Sequence, residues 1–140
     1  MKILIISDTH RALDKLIEVS EKYKDYIKID LGDRQLDKEI YKKYGYISVD
    51  GNCDRENENL IIEKTFDNNK FLLTHGHIFN VKYSYLSLYY KALEINANYV
   101  LFGHTHFQEK FEKGGITFIN PGSLKDNKYA LIENGVIKLI

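Results

Sequence analysis

The chain has 140 residues, in which 20 Lys+Arg balance 20 Asp+Glu, with five His and one Cys. This length fits one domain (residues 1–140), and 44% hydrophobic with 29% charged residues excludes a disordered or membrane-spanning class. Zero net charge excludes a basic field that gathers nucleic acid or anionic lipid, and a single Cys excludes an internal disulfide and fits a reducing compartment.

We expect no targeting signal from the first residues of the sequence. Its first apolar run, Ile3–Ile6, has four residues and leads directly into Ser7 and Asp8. That is too short for the core of a signal peptide or for a membrane span. We therefore expect a cytoplasmic protein with no membrane partner.

The first 59 residues alternate between strand and helix patterns. The apolar run Lys2–Ile6 is typical of a strand that is buried on both faces. The elements predicted after it are a helix over residues 11–24, an alternating strand at Tyr26–Leu31, a short polar helix at Leu36–Lys43, a strand at Tyr46–Val49 and a loop at Gly51–Asn59.

The rest of the chain is richer in strand patterns. In order, it predicts strands at Leu60–Phe66 and Lys70–Thr74 around a polar turn, a helix over residues 82–97, a strand at Tyr99–Phe102, a hairpin of Phe107–Glu112 with Ile116–Ile119, and a second hairpin within residues 128–139. Helices lie between strands in the first part of the chain, whereas the last part is mostly strand. This arrangement predicts a mixed sheet, or two packed sheets, with helices outside.

Tyrosines are concentrated in and beside the predicted helix over residues 82–97, at positions 83, 85, 89 and 90. Base stacking is one explanation for such a stretch. A helix that packs an aromatic face on a sheet explains it better.

Polar side chains follow six of the predicted strands, and all five histidines lie in these loops rather than in a helix or a strand. In open α/β sheets, the loops at the carboxyl ends of the strands converge on one crevice. Carboxylate, imidazole and amide groups should therefore meet there. The loops contain Asp8-Thr9-His10, Asp33, Asn52-Cys53-Asp54, His75-Gly76-His77, His104-Thr105-His106 and Asn120-Pro121-Gly122-Ser123.

This donor set indicates a metal site. Oxygen and imidazole donors suit manganese, iron, zinc, cobalt or nickel, and one thiol is too few for a Cys-rich structural zinc site. Because six or more donors exceed the needs of one tetrahedral ion, two ions with a shared carboxylate are the economical explanation. With two Asp ligands and a bridging hydroxide, such a centre carries a charge of about +1 and attracts an anion.

Two adjacent divalent ions form a clamp for in-line displacement at phosphorus. Other routes to this chemistry have less support, because the chain contains no G-x-x-x-x-G-K-[ST] phosphate loop. Ser7 and Ser123 also lack the nucleophile-elbow context of a serine hydrolase.

In their order and spacing, these motifs resemble those of the calcineurin-like metallophosphoesterases. The similarity is greatest to the compact prokaryotic phosphodiesterases of the YfcE type, and it extends to about residue 130. The resemblance implies a single-domain, four-layer α/β/β/α sandwich of two mixed sheets. The motifs are Asp8-x-His10, Gly32-Asp33, Gly51-Asn52-Cys53-Asp54, His75-Gly76-His77, Gly103-His104-Thr105-His106 and the terminal Asn-Pro-Gly-Ser.

The resemblance also implies a ligand set. The first metal would be bound by Asp8, His10 and His106, the second by Asn52, His75 and His104, and Asp33 would bridge the two. Two divalent ions are implied, with manganese as the first expectation and nickel, zinc, iron or cobalt as alternatives. The catalytic residues would be Asn52, Asp54 and His75, and the substrate would contact Asn52, Cys53 and His77.

Roles beside this set stay open. Asp54 could instead hold a ligand from behind, and His77 could orient the site or only satisfy its loop. Arg34 could face either substrate or solvent. The segment from Asn120 to Ser123 is expected to shape the rim of the cleft, with a backbone turn at Gly122 beside phosphate.

Cys53 stands where larger relatives have a His that is thought to protonate the leaving group. A thiol with an ordinary pKa near ~8.5 is a poorer acid partner at pH 7 than imidazole. This difference predicts a preference for diesters with good leaving groups and weak action on alkyl monoesters.

The resulting hypothesis is a phosphodiesterase in which a hydroxide bridging two metals attacks phosphorus. The alternatives are a phosphomonoesterase or nuclease of the same fold and a non-catalytic scaffold similar to a retromer subunit. We expect a small phosphodiester substrate, with nucleic acid not favoured because of the neutral charge. Formation of a homo-oligomer stays open.

Overall fold

The computed structural model describes residues 1–140 and contains ten strands and three α-helices. Their order follows the predicted one, with bounds that differ by a few residues. The elements are β1 (Lys2–Ile6), α1 (Leu13–Lys22), β2 (Ile27–Asp30), α2 (Lys38–Lys43), β3 (Ile47–Ser48), β4 (Ile61–Phe66), β5 (Asn69–Thr74), α3 (Leu86–Glu94), β6 (Tyr99–Leu101), β7 (Glu109–Lys113), β8 (Ile116–Asn120), β9 (Ala130–Glu133) and β10 (Val136–Leu139).

The strands form two mixed five-stranded sheets. The first sheet has the order β10-β9-β1-β2-β3, with β1, β2 and β3 parallel and β9 and β10 antiparallel to their neighbours. The second has the order β4-β5-β6-β8-β7, with β5, β6 and β8 parallel and an antiparallel strand at each edge. Each sheet therefore brings the carboxyl ends of three parallel strands to one edge.

Three buried apolar clusters join four layers. The central cluster packs the two sheets face to face, with Ile5 and Ile29 from one sheet against Phe71 and Leu101 from the other. A second cluster packs α3 on the outer face of the second sheet, and a third packs α1 and α2 on the outer face of the first. The expected four-layer sandwich of two mixed sheets is confirmed.

The helix predicted over residues 82–97 is shorter than expected. Before α3 begins at Leu86, the chain makes a single 3-10 turn at His77–Phe79, preceded by Gly76 with a φ of 111°. The expectation that no histidine lies in a helix is therefore wrong for His77, because the left-handed backbone at Gly76 turns the chain straight into that 3-10 turn.

The tyrosines around α3 divide into two groups. Tyr85 and Tyr89 pack on the second sheet, with Tyr85 edge-on to Phe102 at 5.1 Å between ring centroids. Tyr83 and Tyr90 instead face solvent. The packing explanation therefore holds for the first pair. None of the three α-helices has the length and apolarity needed to cross a bilayer.

Candidate metal centre

The predicted ligands lie in tight loops at the carboxyl ends of strands from both sheets. Five of them have a positive φ, which L residues seldom adopt: Asp8 (53°), His10 (41°), Asp33 (58°), His104 (71°) and His106 (63°). Backbone of this kind costs energy and persists where the surrounding structure imposes it, commonly at functional sites. The surrounding structure therefore holds these five ligand residues in a strained backbone conformation.

Glycines allow the ligand loops to touch. A Cβ on Gly103, at the end of β6, would lie 2.8 Å from Asp8 Oδ2, and a Cβ on Gly51 would lie 2.6 Å from the Asp33 amide nitrogen. Neither position has room for a side chain. The loops that carry Asp8 and Asp33 are therefore in direct contact with neighbouring loop backbone.

Asp8, His10 and His106 form one potential ligand group. Asp8 Oδ1 lies 3.1 Å from His106 Nε2 and 3.5 Å from His10 Nε2, and the two Nε2 atoms are 3.2 Å apart. The other Asp8 oxygen, Oδ2, accepts hydrogen bonds from Ser7 Oγ and the His104 amide. Asp8 is therefore held by one oxygen while the other faces the histidines.

Asp33, His75 and His104 form a second group. His75 Nε2 lies 3.2 Å from both Asp33 Oδ2 and His104 Nδ1, and the His75 side chain is fully buried. Asp33 Oδ2 also lies 3.9 Å from His10 Nε2 in the first group. Asp33 therefore lies between the two groups.

Hydrogen bonds orient two of the imidazoles. His10 Nδ1 donates to Gln35 Oε1 at 2.8 Å, and His75 Nδ1 donates to the carbonyl oxygen of Leu31 at 2.7 Å. Because both partners accept, each ring carries a proton on Nδ1 and turns its Nε2 inward. A backbone carbonyl or amide behind the ring is a common arrangement for metal-binding histidines.

The inward-facing atoms fit bound cations. Asp8 Oδ1 is buried with no hydrogen-bond donor, and the Nε2 atoms of His10 and His106 face each other 3.2 Å apart. Without a proton or a cation between them, these lone pairs repel, and a buried carboxylate oxygen without a partner is costly. Metal ions would satisfy all of these atoms at once.

Burial and the charges of neighbouring carboxylates and imidazoles shift the pKa values of several residues at the centre. Burial alone raises the pKa of Asp33, but the hydrogen bond and charge of His75 outweigh it and hold that pKa below the ordinary range. Burial lowers the pKa of His75, yet the hydrogen bond to Asp33 and the charges of Asp8 and Asp33 raise it overall. Burial, followed by the charge of His75, lowers the pKa of His104 to about 4, so this ring is neutral at physiological pH.

The loop after β3 supports the centre in a different way from the prediction. The Asp54 carboxylate accepts from the backbone amides of Gly51, Asp33 and Arg34 at 2.7–2.9 Å. Asp54 was predicted to be catalytic, and these bonds turn both of its oxygens toward the backbone. This placement corresponds to the alternative in which Asp54 holds a ligand loop from behind.

Asn52 and Cys53 lie on the exposed side of that loop. The Cys53 amide donates to Asp33 Oδ1 at 2.8 Å, and its thiol lies within 4.8 Å of ligand atoms of His10 and Asp33. The side-chain amide of Asn52 donates from Nδ2 to Cys53 Sγ at 3.5 Å. Metal ligation by Asn52 and substrate contact by both residues stay predictions.

Arg34 faces neither substrate nor solvent. It is 1% exposed, and its guanidinium donates to Asp30 at 2.8 Å and to Asp50 at 2.6 Å. Both alternatives offered for it are wrong, because buried carboxylates at the end of β2 and in the loop after β3 surround it.

His77 lies beside the second ligand group. Its ring centroid is 5.5 Å from that of His75, and its Nδ1 is buried without a hydrogen-bond partner. Burial, followed by the charge of His75, lowers the pKa of His77, so its ring is neutral near pH 7. Its predicted contact with substrate stays a prediction.

The segment from Asn120 to Ser123 lies under the ligand loops rather than at the cleft rim. Asn120 is fully buried and donates to the Gly103 carbonyl and to Thr105 Oγ1, and Ser123 Oγ donates to the Asp8 carbonyl at 2.7 Å. Gly122 does turn the backbone, with a φ of 80°, but its neighbours are Gln108 and Lys128. The prediction of a rim position is wrong, because these side chains bind loop backbone.

Sequence reasoning missed two supporting residues, Gln35 and Ser7. Gln35 holds the His10 ring, and Ser7 holds Asp8. Each lies within two positions of a predicted ligand, and that proximity was the available signal. Ser7 was considered only as a nucleophile.

Comparison with known proteins gives a consistent family. The model of the calcineurin-like phosphoesterase superfamily domain matches residues 1–136. The probable metallophosphoesterase YsnB of Bacillus subtilis is 33% identical over 130 residues, which cover 89% of this chain and 76% of that protein. The phosphodiesterase YfcE of Escherichia coli K12 is 29% identical over 110 residues, which cover 67% of this chain and 55% of that protein.

Solved structures share the fold. A conserved protein from Streptococcus pneumoniae, described as a predicted phosphoesterase, superposes with a TM-score of 0.85 at 25% identity, covering 99% of this chain and 96% of that one. Wild-type Vps29 from Entamoeba histolytica, complexed with zinc, superposes with a TM-score of 0.75 at 22% identity, covering 100% of this chain and 97% of that one. The similarity to Vps29 is one of fold alone.

Proposed function

The chain belongs to the calcineurin-like phosphoesterase superfamily, and we propose that it is a metal-dependent phosphodiesterase. The observation that carries the proposal is the pair of ligand groups that meet at Asp33, because a shared carboxylate is what a two-metal centre needs. Similarity to a protein named a phosphodiesterase supports the diester specificity.

We propose two divalent transition-metal ions, with manganese as the first expectation. Asp8, His10 and His106 would hold one ion, His75, His104 and Asn52 would hold the other, and Asp33 would contact both. Bound there, such ions supply an activated water and neutralise charge that develops on the phosphate.

The residues around the centre prepare it for this chemistry. Gln35 and the Leu31 carbonyl orient the His10 and His75 rings, and Asp54 ties the loop after β3 to the backbone at Asp33. These restraints keep the ligand atoms in place before substrate arrives, which lowers the cost of reorganisation during the reaction. Asn52, Cys53 and His77 would contact the substrate phosphate from the exposed side.

Cys53 bears on the choice of leaving group. Burial, followed by the charge of Asp33, raises the pKa of its thiol above the ordinary value. The thiol is therefore protonated at neutral pH and donates that proton less readily than an imidazolium does. We expect good leaving groups, and hence activated diesters, to react faster than alkyl monoesters.

Asp33→Asn tests the proposal. The substitution keeps the shape but removes the charge shared by the two groups, so both metal occupancy and hydrolysis of bis-p-nitrophenyl phosphate should fall together, by about 100-fold or more in activity. Metal content is measured by elemental analysis after dialysis against manganese. Asp14→Asn on the exposed side of α1 serves as the matched control and should keep both properties.

The same measurements discriminate the alternatives. Faster hydrolysis of p-nitrophenyl phosphate than of the diester would favour a phosphomonoesterase, and cleavage of long single-stranded DNA would favour a nuclease. A folded protein that stays inactive with manganese, nickel, zinc and cobalt would favour a scaffold. Full activity in Asp33→Asn would show that the shared carboxylate has been misassigned.

A further inference from the structure

The arginines of this chain are concentrated at the candidate metal centre. Of 20 Lys+Arg, only Arg11, Arg34 and Arg55 are arginine, and each lies in a loop that follows one of the three parallel strands of the first sheet. Arginine differs from lysine in presenting a planar fork that binds phosphate or carboxylate with two hydrogen bonds. Arg34 uses its fork on the buried aspartates.

Arg11 and Arg55 line a cleft of about 790 Å³ beside the centre. The cleft reaches the centre at two residues, Gln35, which holds the His10 ring, and Cys53, which lies beside His10 and Asp33. Its volume is in the range of small-molecule sites. A substrate phosphate at the metals could therefore extend another part of the same molecule into this cleft.

The acidic residues of the cleft are already engaged. Asp37 caps α2 by accepting from the Glu39 amide, Glu39 pairs with Lys42 at 3.3 Å, and Glu56 lies 3.8 Å from the Arg34 guanidinium. Asp54 accepts from backbone amides.

By contrast, the guanidinium groups of Arg11 and Arg55 have no carboxylate within 4 Å and make no hydrogen bond. Both arginine side chains are exposed, whereas the two lysines of the cleft have carboxylate neighbours: Lys38 Nζ lies 4.0 Å from Asp50 Oδ1, and Lys42 pairs with Glu39.

The backbone positions of both arginines are fixed relative to the ligands. Arg11 directly follows His10, has a φ of 71°, and donates its amide to the Arg34 carbonyl at 2.9 Å. Arg55 directly follows Asp54, whose carboxylate is held by three backbone amides. The backbone of each arginine is therefore fixed beside the centre, whereas its guanidinium group has no partner.

We propose that Arg11 and Arg55 bind a second phosphate group of the substrate, so that the natural substrate is a phosphodiester that also carries a terminal phosphate monoester. Two unpaired positive charges match the charge of about −2 on a phosphate monoester at neutral pH, and two forks match its several acceptor oxygens. This inference rests on the proposed phosphodiesterase function.

Two diesters that differ only in the second phosphate test the inference. The substrates are thymidine 5′-(4-nitrophenyl phosphate) and its 3′-phosphorylated derivative, assayed with manganese-loaded protein. The unsubstituted protein should prefer the 3′-phosphorylated diester by about tenfold or more in kcat/KM, and Arg11→Ala or Arg55→Ala should each reduce this preference about tenfold. Arg11→Lys should restore only part of it, because the charge returns without the fork.

Binding without turnover provides a second readout. Calorimetric titration with thymidine 3′,5′-bisphosphate and thymidine 5′-monophosphate should show tighter binding of the bisphosphate, and the two Ala variants should lose that difference. Lys64→Ala, an exposed cation on β4, is the matched control and should keep it. Equal kcat/KM for the two diesters, or an equal loss on both in the Arg variants, would overturn the inference.

The test separates this inference from the function on which it rests. If the unsubstituted protein hydrolyses neither diester yet binds the bisphosphate through Arg11 and Arg55, the phosphodiesterase proposal fails and the anion site stands. If it hydrolyses both without discrimination, the phosphodiesterase proposal stands and the anion site fails.

Discussion

At the scale of single residues, the orientation of His10 depends on Gln35. The His10 Nδ1 proton is held by the Gln35 amide oxygen, and this bond turns Nε2 toward Asp8 and His106. Gln35 itself has a positive φ of 52°, a conformation that the surrounding backbone imposes. A supporting contact of this kind tunes a metal site without touching the metal.

Gln35→Ala should weaken manganese binding at the site of Asp8, His10 and His106 by about 10–100-fold, because the His10 ring loses its restraint. Gln35→Glu keeps an acceptor for the Nδ1 proton and should retain most of the affinity. Titration calorimetry with manganese measures both variants. Asn57→Ala, on the exposed part of the loop after β3, is the control, and equal affinities in Gln35→Ala and Asn57→Ala would contradict this role.

At the scale of elements, a buried ionic cluster holds β2 to the loops around β3. Arg34 donates to Asp30 at the end of β2 and to Asp50 after β3, and it lies 3.5 Å from Asp54. Asp50 also accepts from the backbone amides of Glu58 and Asn59. The cluster therefore fixes the loop that presents Asp33 and the loop that presents Cys53 relative to each other.

Arg34→Met should lower the free energy of unfolding by about 3–5 kcal/mol at pH 8, because it leaves buried carboxylates without their cation. The loss should be smaller at pH 5. Burial raises the pKa of Asp30 to about 6 even though Arg34 opposes the shift, and removing Arg34 raises it further. The folded variant then binds a proton that the unfolded chain has released, so its stability falls as pH rises through this range.

Urea unfolding followed by far-ultraviolet circular dichroism measures this difference at pH 5 and pH 8, since the chain has no Trp for fluorescence. Arg55→Met is the matched control, because the Arg55 side chain is exposed and should change stability by less than about 0.5 kcal/mol. A loss in Arg34→Met that is equal at both pH values would exclude the carboxylates as its cause.

The sequence pattern of β2 predicted its conformation but not the burial of its polar residues. Its alternation of apolar and polar residues correctly predicted a strand, and such alternation ordinarily indicates one solvated face. Here Lys28 and Asp30 are buried, because the Lys28 ammonium donates to the carbonyls of Lys24 and Tyr26 and Asp30 pairs with Arg34. These partners lie only two to four positions away along the chain, but the alternation of apolar and polar residues does not show that the loops before and after β2 fold back onto its side chains.

At the scale of the whole molecule, the candidate metal centre joins the two sheets. Asp8 and Asp33 follow strands of the first sheet, whereas His75, His104 and His106 follow strands of the second. Each of the two ligand groups has at least one donor from each sheet. Bound metal should therefore stabilise the sandwich as a whole.

Manganese should raise the thermal midpoint of unfolding by several degrees relative to protein in EDTA. A ligand that binds only the folded state, at 100 times its Kd, adds about 2.7 kcal/mol per site. Differential scanning calorimetry measures the shift, which should persist in Asp14→Asn and shrink in His75→Ala. Identical midpoints in manganese and in EDTA would refute a metal link between the sheets.

The sequence by itself determined the order of the strands along the chain, the donor types in the loops after them, and the family motifs from which seven candidate ligands were inferred, because periodicity and motif spacing are properties of neighbouring residues. Only the tertiary structure decided that Asp54 and Asn120 bind loop backbone, that Arg34 is buried, and that Gln35 supports His10. Those roles depend on contacts between distant segments, such as Asp8 with His104, 96 positions apart. Sheet order and layer packing bring these segments together, and neither is encoded in a local pattern.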